Sequence, residues 1–284
     1  MILAGGAAGV AAAFNTPLAG VMFAIEELSR SFEERTSGTV FTAVIVAGIA
    51  SLAVLGDYTY FGHTDASLTV ANGWLPVLVC GAVCGLLGGL FATILILFSK
   101  GIGGALGAWT RRRPIIFSAG FGVALALVGL ISDGGTFGTG YEQTRALLDG
   151  SSQVTVSWGL LKMLATVISY VSGIPGGIFA PSLATGAGLG ADIAHWFPGV
   201  PAGAVIILGM AAYFSSVVQA PITSVIIVME MTDNQSMTVP QMAVAFIAVS
   251  VSKLVCRTPL YKALAESFTA PVAKQGSANG STAP

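Results

Sequence analysis

The sequence predicts an all-α integral membrane protein in which tilted and half-length helices surround a site near the middle of the bilayer. Of its 284 residues, 54% are apolar and only 9% are charged, and the mean hydropathy is +0.84. Soluble domains carry about 25% charged residues. The segment SGIPGGIFAP (172–181) places a Gly/Pro-rich break between two apolar stretches. Such a break survives at membrane depth only inside protein or beside a cavity, so we expect a cavity there.

Apolar segments follow one another along most of the chain. Several are shorter than the ~20 residues needed to cross a bilayer. A mixture of full-length and half-length helices is typical of channels and transporters whose site lies at the midplane. The segments are predicted at 2–14, 17–28, 38–55, 73–98, 114–132, 154–171, 178–192, 202–217, 220–231, 238–255 and 259–267. The last residues, 268–284, are rich in Ser, Gly and Ala and are expected to be disordered.

The break at 172–181 is expected to form an anion site. A small-residue helix, from Ile178 to about Ala191, follows it directly. The first amides of a helix have no intrahelical acceptors and point outward. The break itself contains no Lys, Arg, carboxylate or His, so attraction must come from N–H groups and a helix dipole worth about half a charge. Such a site can bind an anion and still release it.

Charge placement predicts the orientation in the membrane. Basic residues mark cytoplasmic connections, and the connection 56–72, with Asp57 and Asp65 but no Lys or Arg, is expected to face outside. The basic residues assigned to the cytoplasm are Arg30, Arg35, Lys100, Arg111, Arg112, Arg113, Lys253, Arg257, Lys262 and Lys274. A net charge of −1 argues against nucleic-acid binding and against a polybasic lipid-binding surface.

Cysteine and histidine usage indicates neither a metal centre nor a disulfide framework. Cys80, Cys84 and Cys256 lack the spacing of either and are interpreted as packing residues. His63 and His195 are expected at the surface or at an interface. A removable signal peptide is not expected, since no basic n-region with a cleavage site precedes the first apolar segment.

An internal repeat is visible at an offset of 204 residues, as between Pro17 and Pro221. Each copy reads as a small-residue helix, a Pro-started short helix, and a glutamate nine residues after the Pro. Composition bias is the alternative explanation. The matches pair Gly5, Ala7, Ala8, Pro17, Val21 and Glu26 with Gly209, Ala211, Ala212, Pro221, Val225 and Glu230. If the repeat is real, residues that precede the first copy are missing from this chain.

Four motifs resemble the CLC family of chloride channels and proton/chloride antiporters, in particular the bacterial antiporters. They are AAGVAAAFNTPLAGVMFAIEEL (7–28), GIPGGIFAPSLATGAGLG (173–190), APITSVIIVMEMTDN (220–234) and PLYKAL (259–264). The resemblance covers nearly the whole chain and corresponds to the C-terminal three-fifths of a family member. It implies a CLC-like inverted-repeat transporter, with 1–55 ending the first repeat, 73–267 forming the second, and 268–284 as the tail. The family's earlier GSGIP and GREGP motifs, which supply a chloride-coordinating Ser and a gating Glu, do not occur at their expected places.

The resemblance also implies site residues. The amides of Ile178 and Phe179 and the hydroxyl of Tyr261 would coordinate the anion, although from the sequence alone Tyr261 could equally be an interfacial anchor. Glu27 aligns with the internal proton-transfer glutamate of the antiporters, a position at which channel members lack a carboxylate. Glu26 is a second proton-transfer candidate, with a solvated pair with Arg30 as its structural alternative.

The expected function is proton-coupled chloride exchange by a multi-pass protein of the cell membrane, with chloride as substrate and no cofactor. A voltage-gated or passive chloride channel is the alternative, and a non-transporting remnant or one subunit of a split transporter is another. An enzyme is not expected, because no nucleophile–base pair, phosphate loop or metal cluster appears.

Glu230 is expected to cap the end of its own helix. The resemblance implies a homodimer through helices 17–28, 38–55, 220–231 and 238–255.

Overall fold

A computed structural model describes residues 1–29, 34–56, 58–68, 70–101, 110, 112–150, 154–174 and 176–266. Secondary structure in this part of the chain is helical. The first helices are α1 (Ile2–Phe14), α2 (Pro17–Phe23), α3 (Glu34–Leu55), α4 (Val70–Ser99), α5 (Pro114–Ile131) and α6 (Tyr141–Leu148). They are followed by α7 (Trp158–Val171), α8 (Phe179–Ala194), α9 (Ala202–Val218), α10 (Pro221–Thr232), α11 (Thr238–Val255) and the short α12 (260–266).

The predicted apolar segments therefore become helices, with bounds that move by a few residues. The helix α6 was not predicted, because its sequence YEQTRALL is too polar for a search based on hydropathy. Within the described residues, four helical stretches are long and apolar enough to cross a membrane: Gly38–Leu55, Gly73–Ser99, Pro114–Ile131 and Thr238–Val255. The predicted tail and the basic residues Arg30, Arg111 and Lys274 lie outside the described residues.

The core is built around α9. Every residue from Ala204 to Val218 is buried, which is why this helix is apolar on all sides. It packs against α4, α8, α10 and α11. The contact with α8 is close because glycines face each other: a Cβ on Gly186 would lie 2.6 Å from the Gly209 carbonyl oxygen. Small residues let helix backbones approach in this way in membrane proteins.

The predicted repeat is present in the backbone. Asn15 ends α1 with φ 52° and ψ 44°, and Gln219 ends α9 with φ 60° and ψ 32°. The next residue has similar angles in both copies, φ −128° and ψ 74° at Thr16 and φ −121° and ψ 82° at Ala220, and a proline then starts α2 and α10. The helices α2 and α10 pack against each other. Residues 204 apart thus follow the same course, which composition bias alone would not produce.

Candidate anion site

The start of α8 has the geometry expected of an anion site. Ile178 is the N-cap residue and is only 7% exposed, and the helix begins at Phe179. The amide and hydroxyl of Ser182 both donate to the Ile178 carbonyl, at 3.0 and 2.6 Å. These bonds fix the first turn. The first amides of α8 have no acceptor within the helix and remain available to a ligand.

Aromatic contacts connect the start of α8 to Tyr261. Phe179 meets the Phe23 ring edge-on, with centroids 6.1 Å apart, and Phe23 meets Tyr261 in the same manner, also at 6.1 Å. On another side, Phe179 stacks on Phe14 at 5.1 Å. The tertiary structure thus brings Phe179 and Tyr261, which belong to separate motifs, into contact with the same ring from α2.

A buried lysine that the sequence analysis missed lies beside this site. Lys162 of α7 is only 2% exposed, and its Nζ donates to the carbonyl oxygens of Thr136 and Gly138 at 2.8 and 2.7 Å. It lines a cavity of about 200 Å³ together with Gly177 and Ile178. A cation inside an apolar helix costs about 2.5–3.5 kcal/mol and is therefore a functional signal in its own right. The break contains no cation, but the fold supplies one from the preceding helix.

The two adjacent glutamates after α2 lie in a π-helical segment, Ala24–Ser29. In a regular α-helix, successive side chains are separated by about 100°. Wider π turns are rare and often occur at functional sites. Glu27 is buried, at 8% exposure, and acts electrostatically on Tyr261. Glu26 points elsewhere, so the two carboxylates have separate environments.

Glu26 caps α10. Its carboxylate accepts bonds from the Ile222 amide at 3.2 Å, the Thr223 amide at 2.7 Å and the Thr223 hydroxyl at 2.8 Å. The predicted pair with Arg30 falls on a residue outside those that the structure describes. The amides at the start of α10 have no intrahelical acceptors, and an anion near them is stabilised by the helix dipole.

Glu230 makes the symmetric contact. Its carboxylate accepts bonds from the amides of Leu18 at 3.1 Å and Ala19 at 2.8 Å, at the start of α2. The prediction that Glu230 caps its own helix end is therefore wrong. The C-cap residue of α10 is Asp233, which has a left-handed backbone conformation and donates its amide to the Met229 carbonyl. Because each helix end caps the other's beginning, α2 and α10 run antiparallel, as an inverted repeat requires.

The cysteines and histidines are buried and exposed, respectively. Cys80, Cys84 and Cys256 are free and buried. The His195 ring contacts the Ala191 carbonyl at 2.9 Å on an exposed surface. His63 is 58% exposed and contacts two aspartates.

Comparison with known proteins identifies the family. The family model described as "Voltage gated chloride channel" matches residues 1–253. Among curated relatives, the H(+)/Cl(-) exchange transporter ClcA of Yersinia pestis bv. Antiqua (strain Angola) is 33% identical over 288 residues, covering 93% of this chain and 57% of the relative. The ClcA of Salmonella arizonae is 31% identical over 301 residues, covering 99% of this chain and 62% of the relative. The chain thus spans somewhat more than half the length of these relatives.

Solved structures agree with this result. A CLC-type fluoride/proton antiporter superimposes with a TM-score of 0.76 at 27% identity, covering 91% of this chain and 64% of the other. A slow cyanobacterial Cl−/H+ antiporter gives a TM-score of 0.74 at 25% identity, covering 95% and 64%. The fold, the paired repeat and the matched family model lead to one conclusion: the chain belongs to the voltage-gated chloride channel, or CLC, family.

Proposed function

We propose that this chain supplies the second half-site of a proton-coupled chloride exchanger in the cell membrane. The observation that carries the proposal is the convergence on one ring, Phe23, of the start of α8 and of Tyr261, with the buried Glu27 acting electrostatically on Tyr261. The curated relatives named above are H(+)/Cl(-) exchange transporters.

The anion would be held mainly by neutral groups. The amides of Ile178 and Phe179 and the hydroxyl of Tyr261 donate hydrogen bonds without a full charge, which allows binding and release. Lys162 adds a positive charge in the cavity that Ile178 also lines. Replacing Lys162 by Met is expected to weaken chloride binding by on the order of tenfold, and Lys162→Arg, which keeps the charge, is expected to weaken it less.

The proton would be carried by Glu27. It is buried, as a relay group at the edge of a transport pathway should be, and a carboxylate can take up and release a proton whereas an amide cannot. The role of Glu26 as a second relay is less favoured, because its oxygens are occupied by the start of α10. Glu26 therefore serves chiefly to hold α2 and α10 together.

The test of coupling uses Glu27→Gln in a chimera in which the GSGIP and GREGP motifs are supplied by the N-terminal part of the Yersinia pestis relative. Proton and chloride fluxes are measured together in liposomes under a chloride gradient. We expect the variant to stop proton movement while chloride still passes, because the substitution leaves the amides and the Tyr261 hydroxyl in place. Unchanged proton uptake would move the role to another group. The matched control is Glu142→Gln, an exposed carboxylate on α6.

Two alternatives are separated by the same reconstitution. A gated channel would show chloride currents with no proton-dependent shift in reversal potential, in wild type and variant alike. A non-transporting remnant would give no flux in the chimera, whereas one subunit of a split transporter would give flux there because the chimera supplies its missing half. We expect residues 1–284 alone to show no chloride-selective uptake, because the Ser hydroxyl and the gating carboxylate of the other half-site are not among them; robust selective uptake by this chain would overturn that expectation.

We further propose a homodimer through α2, α3, α10 and α11. Apolar side chains on these helices are exposed, among them Leu18, Ile49, Ile222 and Phe246. Helices in lipid associate through packing of such faces. Chemical cross-linking in mild detergent should give a dimer band, and a monomer alone would count against the interface.

A further inference from the structure

The loop between α3 and α4 is fastened to the end of α10. The amide of Phe61 donates to the Met231 carbonyl at 2.8 Å, and the amide of Thr64 donates to the Thr232 carbonyl at 3.2 Å. The side chain of Asn234 donates to the carbonyls of Thr64 and Ala66, both at 2.8 Å. Residues 58–68 thus lie against the C-terminal end of α10, on the side of the membrane predicted to be external.

His63 adds a contact of a different kind. Its Nδ1 lies 3.1 Å from an Asp233 oxygen at the end of α10, and its Nε2 lies 2.9 Å from an Asp65 oxygen in its own loop. An ionised carboxylate can only accept hydrogen bonds, and a neutral imidazole carries a single N–H. Both contacts are therefore satisfied together only when the ring is doubly protonated. The neutral ring loses one of them and turns a lone pair toward a carboxylate.

We propose that His63 is a proton-operated clasp: protonated, it adds to the hydrogen bonds that hold the loop 58–68 against α10, and deprotonated, it weakens that attachment. The two carboxylates raise the pKa of His63 above its ordinary value of 6.5, through the hydrogen bond to Asp65 first and that to Asp233 second. Because the pKa is raised in the folded state, the stabilisation is fully present below about pH 6.5 and is lost as the pH rises through the folded value.

Among the residues that the structure describes, the other elements that pack on the loop present no charge to the ring. At the start of α9, Gly203 lies near Thr64 and Ala66 of the loop. Near the start of α4, Gly73 lies near Leu68 of the loop, and neither glycine carries a charge. The helix α6 meets the loop through the Tyr141 ring. This helix also carries Glu142 and Arg145, and the Arg145 guanidinium is engaged with the Tyr141 hydroxyl and the Asp149 carboxylate instead. Asp57 lies outside the described residues.

The clasp has a physical route to the start of α8. Tyr60, in the same loop, meets Phe14 edge-on at 5.3 Å, and Phe14 stacks on Phe179 at 5.1 Å. A weaker attachment of the loop gives Tyr60, and with it one wall of this row of rings, more freedom to move. The state of His63 thereby bears on the aromatic surroundings of α8, whatever ion α8 binds.

The test begins with the His195→Gln variant of this chain in detergent micelles. The chain has two histidines, so the remaining ring signal in a histidine-labelled NMR titration belongs to His63. We expect its midpoint above the ordinary histidine pKa of about 6.5. A midpoint at or below that value would overturn the proposal. This measurement leaves His63, Asp65 and Asp233 unsubstituted.

Hydrogen exchange then tests the weaker attachment. Protection factors of the Phe61 and Thr64 amides, corrected for the intrinsic pH dependence of exchange, should fall roughly two- to fivefold as the pH rises through the midpoint, the factor that one exposed ion pair supplies. His63→Gln should show low protection at every pH, and Asp233→Asn should weaken the pH dependence. If wild type and His63→Gln change with pH in the same way, His63 is not the clasp. These readouts do not depend on transport, so they stand apart from the proposed function.

Discussion

The crossed caps between α2 and α10 allow a quantitative test of the fold. Glu26 accepts three hydrogen bonds from the start of α10, and Glu230 accepts two from the start of α2. Hydrogen bonds to a charged group contribute about 1.5–3 kcal/mol, and partial exposure to solvent reduces this to about 1 kcal/mol each. Glu230→Ala should therefore destabilise the chain by about 2 kcal/mol and Glu26→Ala by about 3 kcal/mol.

The assay is reversible unfolding in mixed micelles, with the free energy of unfolding extrapolated to zero denaturing detergent. The two caps lie at opposite ends of the helix pair and share no partner, so the double variant should lose the sum within about 0.5 kcal/mol. The isosteric Glu230→Gln keeps one acceptor oxygen and should lose about half as much as Glu230→Ala. As a control, Glu142→Ala should change stability by no more than about 0.5 kcal/mol.

The order of the two effects is the informative result. A loss for Glu230→Ala that equals or exceeds the loss for Glu26→Ala would contradict the count of hydrogen bonds. Losses of less than about 0.5 kcal/mol for both variants would show that water satisfies these helix ends equally well, and the caps would then not stabilise the repeat pair.

Further predictions concern packing. Gly188→Ala should destabilise the chain, because the new Cβ would lie 2.5 Å from the Gly159 Cα, and overpacking costs about 1–3 kcal/mol against a gain of about 1 kcal/mol for Ala in a helix. Gly120→Ala has open space around its Cβ and should instead stabilise by about 0.5–1 kcal/mol; equal effects in thermal unfolding would contradict the packing of α7 on α8. Lys162→Met should lower stability by about 2 kcal/mol, because the Thr136 carbonyl loses a buried donor, and should speed amide exchange in residues 132–140; no change in exchange would show that Lys162 does not hold this loop.

Hydropathy and helix-breaking residues alone determined much of this protein. Segments such as 2–14, 114–132 and 238–255 became helices within a few residues of their predicted ends, because burial of apolar side chains and the placement of Gly and Pro are local properties. The motif at 173–190 located the start of α8 to within one residue. The repeat is likewise a property of the sequence itself, where it shows as a spacing of 204 between matching residues.

Only the tertiary structure decided which distant groups meet. Glu26 and Glu230 each bond the start of the other repeat's helix, and this choice of partner follows from the antiparallel packing of α2 on α10. Lys162 lines the same cavity as Ile178 because α7 packs against α8. His63 met Asp233 because the loop returns over α10. A pattern along the chain records the cost of burying each residue, but the partner of a polar group depends on which surfaces the packed helices bring within hydrogen-bonding distance.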